Sequence, residues 1–271
     1  MNTYFCGCDV GSTYGKAVIT NEEGAIIGKG MIRSKLDPEE TAVEVIAAAV
    51  ADAHLSGDRP FSYLVGTGYG RDLVPFADAN ISEISCHAMG VHVLAPSVRT
   101  IVDFGGQDLK GISIDPKGMV SNFVMNDKCA AGTGRFFEAM ARAFSMSIED
   151  FSKLSLMATE EIPITSQCSV FAETEVISMI ARKKRPEDIA LGIQTSVARR
   201  AYSLLRNSGI RPDLAITGGC AKNEGLVQSL KTVFNLVFVD LPEDPQLVGA
   251  IGAAEYAKMR YTAQSNKGNA A

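Results

Sequence analysis

Two hydrophobic patterns alternate along the chain and predict a protein built from strands and helices. Short apolar segments bounded by turn residues predict buried strands. Apolar positions repeating every three or four residues predict amphipathic helices. The predicted strands cover residues 4–10, 15–20, 25–32, a segment from 63, two strands around a turn within 100–114, 214–217 and 237–239. The predicted helices cover residues 38–54, 84–93, 134–144, 151–157, 170–181, 186–208, 226–234 and 248–259. This alternation indicates an α/β fold.

One strand-turn-strand unit occurs twice in the sequence. Residues 9–13 read Asp-Val-Gly-Ser-Thr and residues 103–107 read Asp-Phe-Gly-Gly-Gln, each between two apolar strands. Glycine in such a turn lets the backbone approach a ligand, and N–H and hydroxyl groups hold anionic oxygens. The carboxylate positions Mg²⁺ or water. Two such units facing one another predict a clamp for the phosphates of one nucleotide.

Other glycine-rich stretches test whether the phosphate site is a P-loop. Residues 66–71 and 131–135 contain several glycines, but neither stretch ends in Gly-Lys followed by Ser or Thr. A P-loop enzyme is therefore disfavoured. Gly218 and Gly219 follow the predicted strand 214–217, and a glycine pair there permits close approach of a flat ring or ribose. We expect this pair to border adenosine.

Cys129 and Cys168 each stand just before a segment with helical periodicity. A helix start has unpaired N–H groups and the positive end of the helix dipole, which favour a thiolate or an anionic cluster. Cys6 and Cys8 alternate on a predicted buried strand, so we expect them to be core residues, and Cys86 likewise. The paired cysteines at helix starts leave metal or redox use open.

Length and charge narrow the class of protein. A chain of 271 residues suits two lobes, which we expect over residues 1–96 joined by helix 248–260, and over residues 97–247, with a disordered tail at 261–271. The net charge of −5 argues against a nucleic-acid or anionic-membrane partner. No apolar run is long enough to span a bilayer and no basic segment precedes an apolar core at the N-terminus. We therefore expect a cytoplasmic protein with reduced thiols.

The order of these motifs resembles that of the acetate and sugar kinase, Hsp70 and actin superfamily. More narrowly, the chain resembles the activator ATPases of 2-hydroxyacyl-CoA dehydratases, in the family that includes the ATPase subunits of benzoyl-CoA reductase. The resemblance runs through residues 9–13, 67–71, 84–88, 103–108, 126–136, 168–173 and 217–219. It implies a two-lobed actin/Hsp70-like ATPase fold, with duplicated β-sheet subdomains and a nucleotide cleft between them.

The resemblance also implies a cluster and a reaction. One [4Fe–4S] cluster would lie across the two-fold axis of a homodimer, held by Cys129 and Cys168 of each subunit. The sequence agrees, because it contains no Cys-x-x-Cys pair and two ligands per subunit become four under two-fold symmetry. Reduced ferredoxin or flavodoxin would donate an electron to the cluster. ATP hydrolysis would then drive one electron to the dehydratase component.

Residue roles follow from the same resemblance. Asp9 and Asp103 would orient Mg²⁺ and water. Gln107, in the turn that follows Asp103, would be the third catalytic residue. The expected contacts to ATP or ADP are Gly11, Ser12, Thr13, Lys16, Gly105, Gly106, Gly132, Gly134, Gly218 and Gly219. Lys16 would reach a phosphate, or would equally be a solvated lysine on a strand.

Two other functions stay open at this point. The first is the ATPase subunit of benzoyl-CoA reductase or a related low-potential reductase, which would use the same machinery on another partner. The second is a small-molecule kinase without a cluster, in which both cysteines would be ordinary core residues. That second function leaves the cysteines before two helices unexplained.

Overall fold

A computed structural model describes residues 3–57, 59–74, 76–128, 131–165 and 168–268. Its strands are β1 (Phe5–Val10), β2 (Tyr14–Thr20), β3 (Ile26–Arg33), β4 (Tyr63–Thr67), β5 (Ala79–Asn80), β6 (Thr100–Phe104), β7 (Leu109–Ile114), β8 (Val120–Asn126) and β9 (Leu214–Gly218). Its α-helices are α1 (Pro38–Asp52), α2 (Glu83–Leu94), α3 (Gly134–Ala143), α4 (Ile148–Leu154), α5 (Ser169–Ala181), α6 (Pro186–Arg206), α7 (Glu224–Phe234) and α8 (Val248–Gly268).

Contacts group the chain into two compact units, each with its own sheet. The first unit comprises Met1–Ser97, Asp115–Val120 and Leu241–Ala271, and the second comprises Val98–Ile114 and Ser121–Asp240. The sheet of the first unit has the order β3-β2-β1-β4-β5, and that of the second has the order β8-β7-β6-β9. In each unit the strand that carries the repeated aspartate pairs antiparallel with the next strand and parallel with a later one.

Strand β1 shows how the first sheet separates its two faces. Cys6 and Cys8 are fully buried in a core cluster with the apolar side of α1. The alternate residue Gly7 faces α8 so closely that a Cβ there would collide with the backbone at Ala250. Alternation along a strand therefore directs even-numbered residues toward α1 and odd-numbered residues toward α8. Asp9 is on the α8 side of this sheet.

The second unit has one large core. Val102 and Phe104 of β6 pack in it with residues of α3 and α6, among them Phe137 and Ile193. The aspartate between them, Asp103, is also buried. Alternation again explains the pattern, because β6 is covered on both faces. The predicted duplicated β-sheet units are confirmed by the matching strand orders.

The described structure differs from the sequence expectations at several segments, among them the short strand β5 and the three that follow. Strand β8 was not predicted, because its residues are mostly exposed and only loosely alternate. Residues 237–239 do not form the expected strand; Phe238 makes a single bridge to Leu214. The expected disordered tail from residue 261 is wrong as far as Gly268, since α8 continues to that residue.

Contacts explain the extension of α8. The Tyr261 ring packs against Phe5, with the ring centroids 5.6 Å apart. Gln264 Nε2 donates to the Tyr63 hydroxyl at 3.4 Å. These contacts anchor the end of the helix to the sheet.

Among the described residues, the helices are too short or too polar to cross a membrane.

Candidate functional site

The first candidate turn follows β1. Asp9 is 2% exposed, and its Oδ2 accepts from Lys16 Nζ at 3.0 Å across the β1–β2 pair. Its Oδ1 is buried and has no hydrogen-bond partner among the described residues. Gly11 N donates to Tyr14 O at 3.1 Å and closes the turn. A buried carboxylate oxygen without a partner is costly unless a ligand such as a cation or water satisfies it.

The second candidate turn follows β6 and contains a buried ion pair. Lys110 Nζ lies 3.3 Å from Asp103 Oδ2 and 2.8 Å from Asp108 Oδ2. Thr217 Oγ1 donates to Asp103 Oδ1 at 2.7 Å. Gly105 N donates to Asp108 O at 3.0 Å, so Asp108 also closes the turn. The sequence had suggested no role for Lys110 or Asp108.

The duplication extends further than the two turns. Each aspartate pairs with a lysine seven residues later on the antiparallel strand, Lys16 or Lys110. On its parallel side, Asp9 lies opposite Thr67 and Asp103 opposite Thr217. The repeated spacing of seven residues was visible in the sequence. The threonines were not, because they come from strands distant along the chain.

A glycine in the left-handed region follows each threonine. Gly68 has φ +88° and Gly218 has φ +82°. A Cβ at Gly68 would collide with Asp9 Oδ1, and one at Gly218 would collide with Phe104 O and lie 3.1 Å from Asp103 Oδ1. Gly218 therefore adjoins the carboxylate of its own unit. Gly219 begins a short 3₁₀ turn, Gly219–Lys222, directly after it.

The second turn is bonded to the start of α3. Gly134 N donates to Gly105 O at 3.0 Å, and Arg135 N donates to Gly106 O at 3.1 Å. With the Gln107 amide oriented to satisfy both groups, its Oε1 accepts from Arg135 Nη2 at 2.9 Å. The turn and the helix start thus form one hydrogen-bonded structure. The remaining predicted glycine of this stretch, Gly132, has φ +95° and packs against Val197 of α6.

Cys168 differs from the other cysteines of the described segments. It is exposed at the N-cap of α5, a helix of thirteen residues. Burial raises the pKa of the Cys6 and Cys8 thiols, and the prediction that they are core residues is confirmed. Burial likewise raises the pKa of Cys86 and of Cys220 to about 12. A thiol with a raised pKa is a poor metal ligand, since the thiolate is the ligand form. The other predicted ligand, Cys129, lies outside the described residues.

The sheet order and the duplicated turns can be compared with solved structures to identify the fold. A solved structure of a ROK family glucokinase from Streptomyces griseus, in complex with glucose and AMPPNP, matches with a TM-score of 0.58, covering 96% of this chain and 100% of that chain. At 15% identity this likeness concerns the fold alone. With the two sheets, it confirms the expected actin/Hsp70-like fold.

The family follows from sequence. The chain belongs to the BadF/BadG/BcrA/BcrD ATPase family, whose model matches residues 6–257. The expectation that this chain is an ATPase is confirmed by this membership. The expected family resemblance is confirmed with it.

Several named members are similar over nearly their whole length. The activator of lactoyl-CoA dehydratase from Anaerotignum propionicum is 44% identical over 257 residues, which is 94% of this chain and 97% of the relative. The (R)-2-hydroxyglutaryl-CoA dehydratase activating ATPase from Acidaminococcus fermentans is 39% identical over 95% of this chain and 98% of the relative. A subunit of benzoyl-CoA reductase from Thauera aromatica is 31% identical over 96% of this chain and 94% of the relative.

A solved structure supports the same grouping. The activator of the 2-hydroxyisocaproyl-CoA dehydratase from Clostridium difficile, with bound ADPNP, has a TM-score of 0.91 to this chain. It is 39% identical, and the match covers 98% of both chains.

Proposed function

We propose that this protein is an ATP-dependent one-electron donor that activates a 2-hydroxyacyl-CoA dehydratase. In this proposal a homodimer carries one [4Fe–4S] cluster, which reduced ferredoxin or flavodoxin charges. Hydrolysis of ATP drives the electron to the dehydratase component. The observation that carries the proposal is the exposed Cys168 at a helix start, in a chain whose other described cysteines are buried.

The two turns are assigned to the nucleotide. Mg²⁺, when bound, neutralises charge on the phosphate oxygens and orients them. The buried Asp9 Oδ1 fits this assignment, because it has no hydrogen-bond partner in the described chain. Asp103 is the second proposed carboxylate, and Lys110 beside it stabilises its ionised form. The phosphate ligands are proposed to be the backbone and side chains of residues 11–13 and 105–107, together with Lys16.

The sequence leaves two roles open for Lys16, that of a phosphate ligand and that of a solvated strand lysine. The geometry of its side chain supports the first. Its side chain is largely buried and ion-paired with Asp9, which supports a role in the site over that of a solvated strand lysine. Because Lys110 occupies the same position beside Asp103, the lysine belongs to the repeated unit. We assign to both lysines the task of pairing with the carboxylates and holding them in place, and to Lys16 in addition a contact with phosphate.

The cluster site is assigned to Cys129 and Cys168 of each subunit. Thirteen residues of helix follow Cys168, so the positive end of the helix dipole would favour an anionic cluster held at that position. The buried Cys6, Cys8, Cys86 and Cys220 are not suited to ligate a cluster shared between subunits, because their thiols are not exposed at the surface. Two-fold symmetry supplies the remaining two ligands.

The bonds between the second turn and α3 support a link between the two sites. Gly105 O and Gly106 O each accept a hydrogen bond from the first residues of α3. Cys129 precedes that helix by five residues in the sequence. A change at the phosphate turn would therefore be transmitted to the segment that carries a cluster ligand.

The two-lobed division at residues 96 and 97, with helix 248–260 joined to the first lobe, is part of this proposal.

The dehydratase is favoured over the aromatic-ring reductase as partner. Identity is 44% and 39% to the two dehydratase activators and 31% to the benzoyl-CoA reductase component. A cluster-free small-molecule kinase is disfavoured, because the kinase likeness concerns only the fold at 15% identity. It also leaves an exposed cysteine at the start of α5 without a role.

An activation assay tests the function. The anaerobically purified protein is mixed with a 2-hydroxyacyl-CoA dehydratase component, ATP, Mg²⁺ and a low-potential reductant, and dehydration is followed. We expect activation to require ATP and to be lost in Asp103→Asn and Cys168→Ser, while Cys168→Ser still hydrolyses ATP. Activation of a benzoyl-CoA reductase but of no dehydratase would support the alternative partner. ATP-independent activity, or undiminished hydrolysis by Asp103→Asn, would refute the assigned site.

A further inference from the structure

Histidine 87 lies beside the Asp9 site and has no role in the function proposed so far. It is on α2, in the first unit, and its side chain is 5% exposed. The chain contains three histidines, and a lone buried histidine is more often a packed residue than a functional one. Its surroundings distinguish His87 from that ordinary case.

Backbone contacts between α2 and α8 fix the position of His87. A Cβ at Gly90 of α2 would collide with Val248 O, and a Cβ at Gly252 of α8 would collide with Cys86 O. The two helices therefore touch without intervening side chains. Such close packing holds the residues on the contact face with little freedom.

Gly249 of α8 brings His87 and Asp9 to one place. An ideal Cβ built on Gly249 would lie 2.8 Å from Asp9 Oδ2 and 3.0 Å from His87 Nε2. Both polar atoms thus approach the same point above the Gly249 backbone. No side chain larger than hydrogen fits at position 249 while both atoms keep their places.

The two oxygens of Asp9 have different surroundings. Oδ2 accepts from Lys16 Nζ and lies against Gly249, which the His87 Nε2 atom also approaches. Oδ1 is buried without a hydrogen-bond partner in the described residues. An arrangement that fixes one oxygen of a carboxylate determines where the other points.

We propose that His87 is a positioning residue for the ATPase site: with Gly249 it bounds the Oδ2 side of Asp9, so that Oδ1 is directed toward Mg²⁺ or its bound water. The inference rests on the proposed assignment of Asp9 to the nucleotide. His87 acts through Asp9 and not on the nucleotide itself. Its Nε2 atom carries the role, since that atom faces Gly249.

The choice of atom gives a sharp pair of variants. In His87→Gln, the side-chain amide nitrogen replaces Nε2 at a similar reach, whereas in His87→Asn the amide is too short to replace it. His92→Gln is the matched control, because His92 is on the same helix and packs near Gly118 instead of Gly249. Gly249→Ala tests the same space from the α8 side.

The measurement is calorimetric binding of ADP with and without Mg²⁺, accompanied by steady-state ATP hydrolysis. We expect His87→Asn and Gly249→Ala to lower the Mg²⁺-dependent gain in ADP affinity by about tenfold and kcat by at least about tenfold, as for other residues that orient a metal-binding carboxylate. Metal-free ADP affinity and the KM for ATP should change less than about threefold, because the phosphate turn is intact. His87→Gln should recover most of both losses, and His92→Gln should match the wild type.

Three results separate the possible failures. If His87→Asn keeps the Mg²⁺-dependent gain and kcat, or if His87→Gln is as impaired as His87→Asn, the positioning role is overturned. If His87→Asn weakens metal-free ADP binding as much as Mg²⁺-dependent binding, the residue only maintains the fold, and the proposal is also overturned. If Asp9→Asn itself keeps the Mg²⁺-dependent gain, the assignment of Asp9 fails first, and the role of His87 fails with it.

Discussion

The ammonium group of Lys110 lies 3.3 Å from the Asp103 carboxylate, and both side chains are 2% exposed. The two residues are cross-strand partners on β6 and β7, as Asp9 and Lys16 are on β1 and β2. A buried carboxylate without such a partner would be strongly disfavoured in its ionised form. The lysine is therefore as much part of each proposed phosphate site as the aspartate.

Replacing Lys110 with methionine should destabilise the protein and abolish ATP hydrolysis. The change removes the buried cation that pairs with Asp103 and Asp108. Loss of one member of a buried pair costs about 3–5 kcal/mol of unfolding free energy. Urea denaturation followed by circular dichroism measures the cost.

Two further variants make the Lys110 result interpretable. Lys117→Met removes an exposed lysine from the turn after β7 and should change stability by less than about 0.5 kcal/mol. The double variant Asp103→Asn/Lys110→Met should recover part of the loss, since coupled residues are not additive. Equal stability of Lys110→Met and the wild type would show that the pair is not formed in solution.

Gly218→Ala should be more harmful than Gly209→Ala, although both glycines have nearly the same φ. Gly218 has φ +82° and Gly209 has φ +81°. A positive φ is strained for alanine at either position and costs about 1–3 kcal/mol. The Cβ at Gly209 meets open space, whereas the Cβ at Gly218 collides with Phe104 O. Overpacking adds about 1–3 kcal/mol at Gly218.

Thermal or urea unfolding of the two glycine variants gives the difference directly. Gly218→Ala should also reduce ATP hydrolysis, because the new methyl group displaces the backbone next to Asp103. Gly209→Ala should hydrolyse ATP as the wild type does. Equal stability losses in the two variants would contradict the close approach at Gly218.

Asp188 should make the stability of the second unit depend on pH. Its carboxylate accepts from Thr159 N at 2.8 Å and from Glu160 N at 3.3 Å, and the first of these bonds is the main cause that lowers the pKa of Asp188 below its ordinary value of 3.8. A lowered pKa in the folded state adds stability above the unfolded pKa, and this stability disappears as pH falls through the folded value.

The variant Asp188→Asn tests this sign. The stability difference between wild type and Asp188→Asn should be largest near neutral pH and should shrink as pH falls below 3.8. Denaturation midpoints at several pH values between neutral and acid measure it, with Glu187→Gln on the same helix as control. A difference that grows toward acid pH would contradict the prediction.

Gly134→Pro should weaken the connection between the phosphate turn and α3. Proline removes the N–H that donates to Gly105 O, while a first-turn proline is compatible with the helix. The preceding residue, Thr133, already has the extended conformation that proline requires (φ −108°, ψ 177°). Gly134→Ala adds a Cβ but keeps the N–H and is the matched control.

The expected result for this pair concerns the nucleotide response of the cluster. In the wild type and Gly134→Ala, exchange of ADP for ATP should change the electron paramagnetic resonance spectrum of the reduced cluster. In Gly134→Pro this change should be reduced by half or more. An unchanged response in Gly134→Pro would remove this hydrogen bond from the coupling route.

Much of the fold could be predicted from local sequence patterns. The apolar residues of β1 and the alternation of Cys6 and Cys8 were enough to predict a buried strand, because both faces of that strand are covered. The duplicated turns at Asp9 and Asp103 were visible because each lies next to its strand in the chain. Strand β8 was missed because its mixed, exposed residues do not separate a buried face from a solvent face.

Contacts between residues that are distant along the chain could not be predicted from local patterns. Thr217 reaches Asp103 through parallel pairing of β9 with β6, from a position 114 residues later. His87 reaches the Asp9 site only because glycines let α2 and α8 touch. Such meetings depend on strand order and helix packing, which a local pattern does not contain. Lys110 is different, since its spacing from Asp103 repeats that of Lys16 from Asp9.

Iron and sulfide content after anaerobic purification and reconstitution tests the central claim most directly. The account predicts a coloured protein with about four iron and four sulfide per dimer. Cys129→Ser and Cys168→Ser should each lose most of both, while Cys220→Ala should keep them because its thiol is buried. A colourless, iron-free wild type, or full iron and sulfide in both serine variants, would contradict the account.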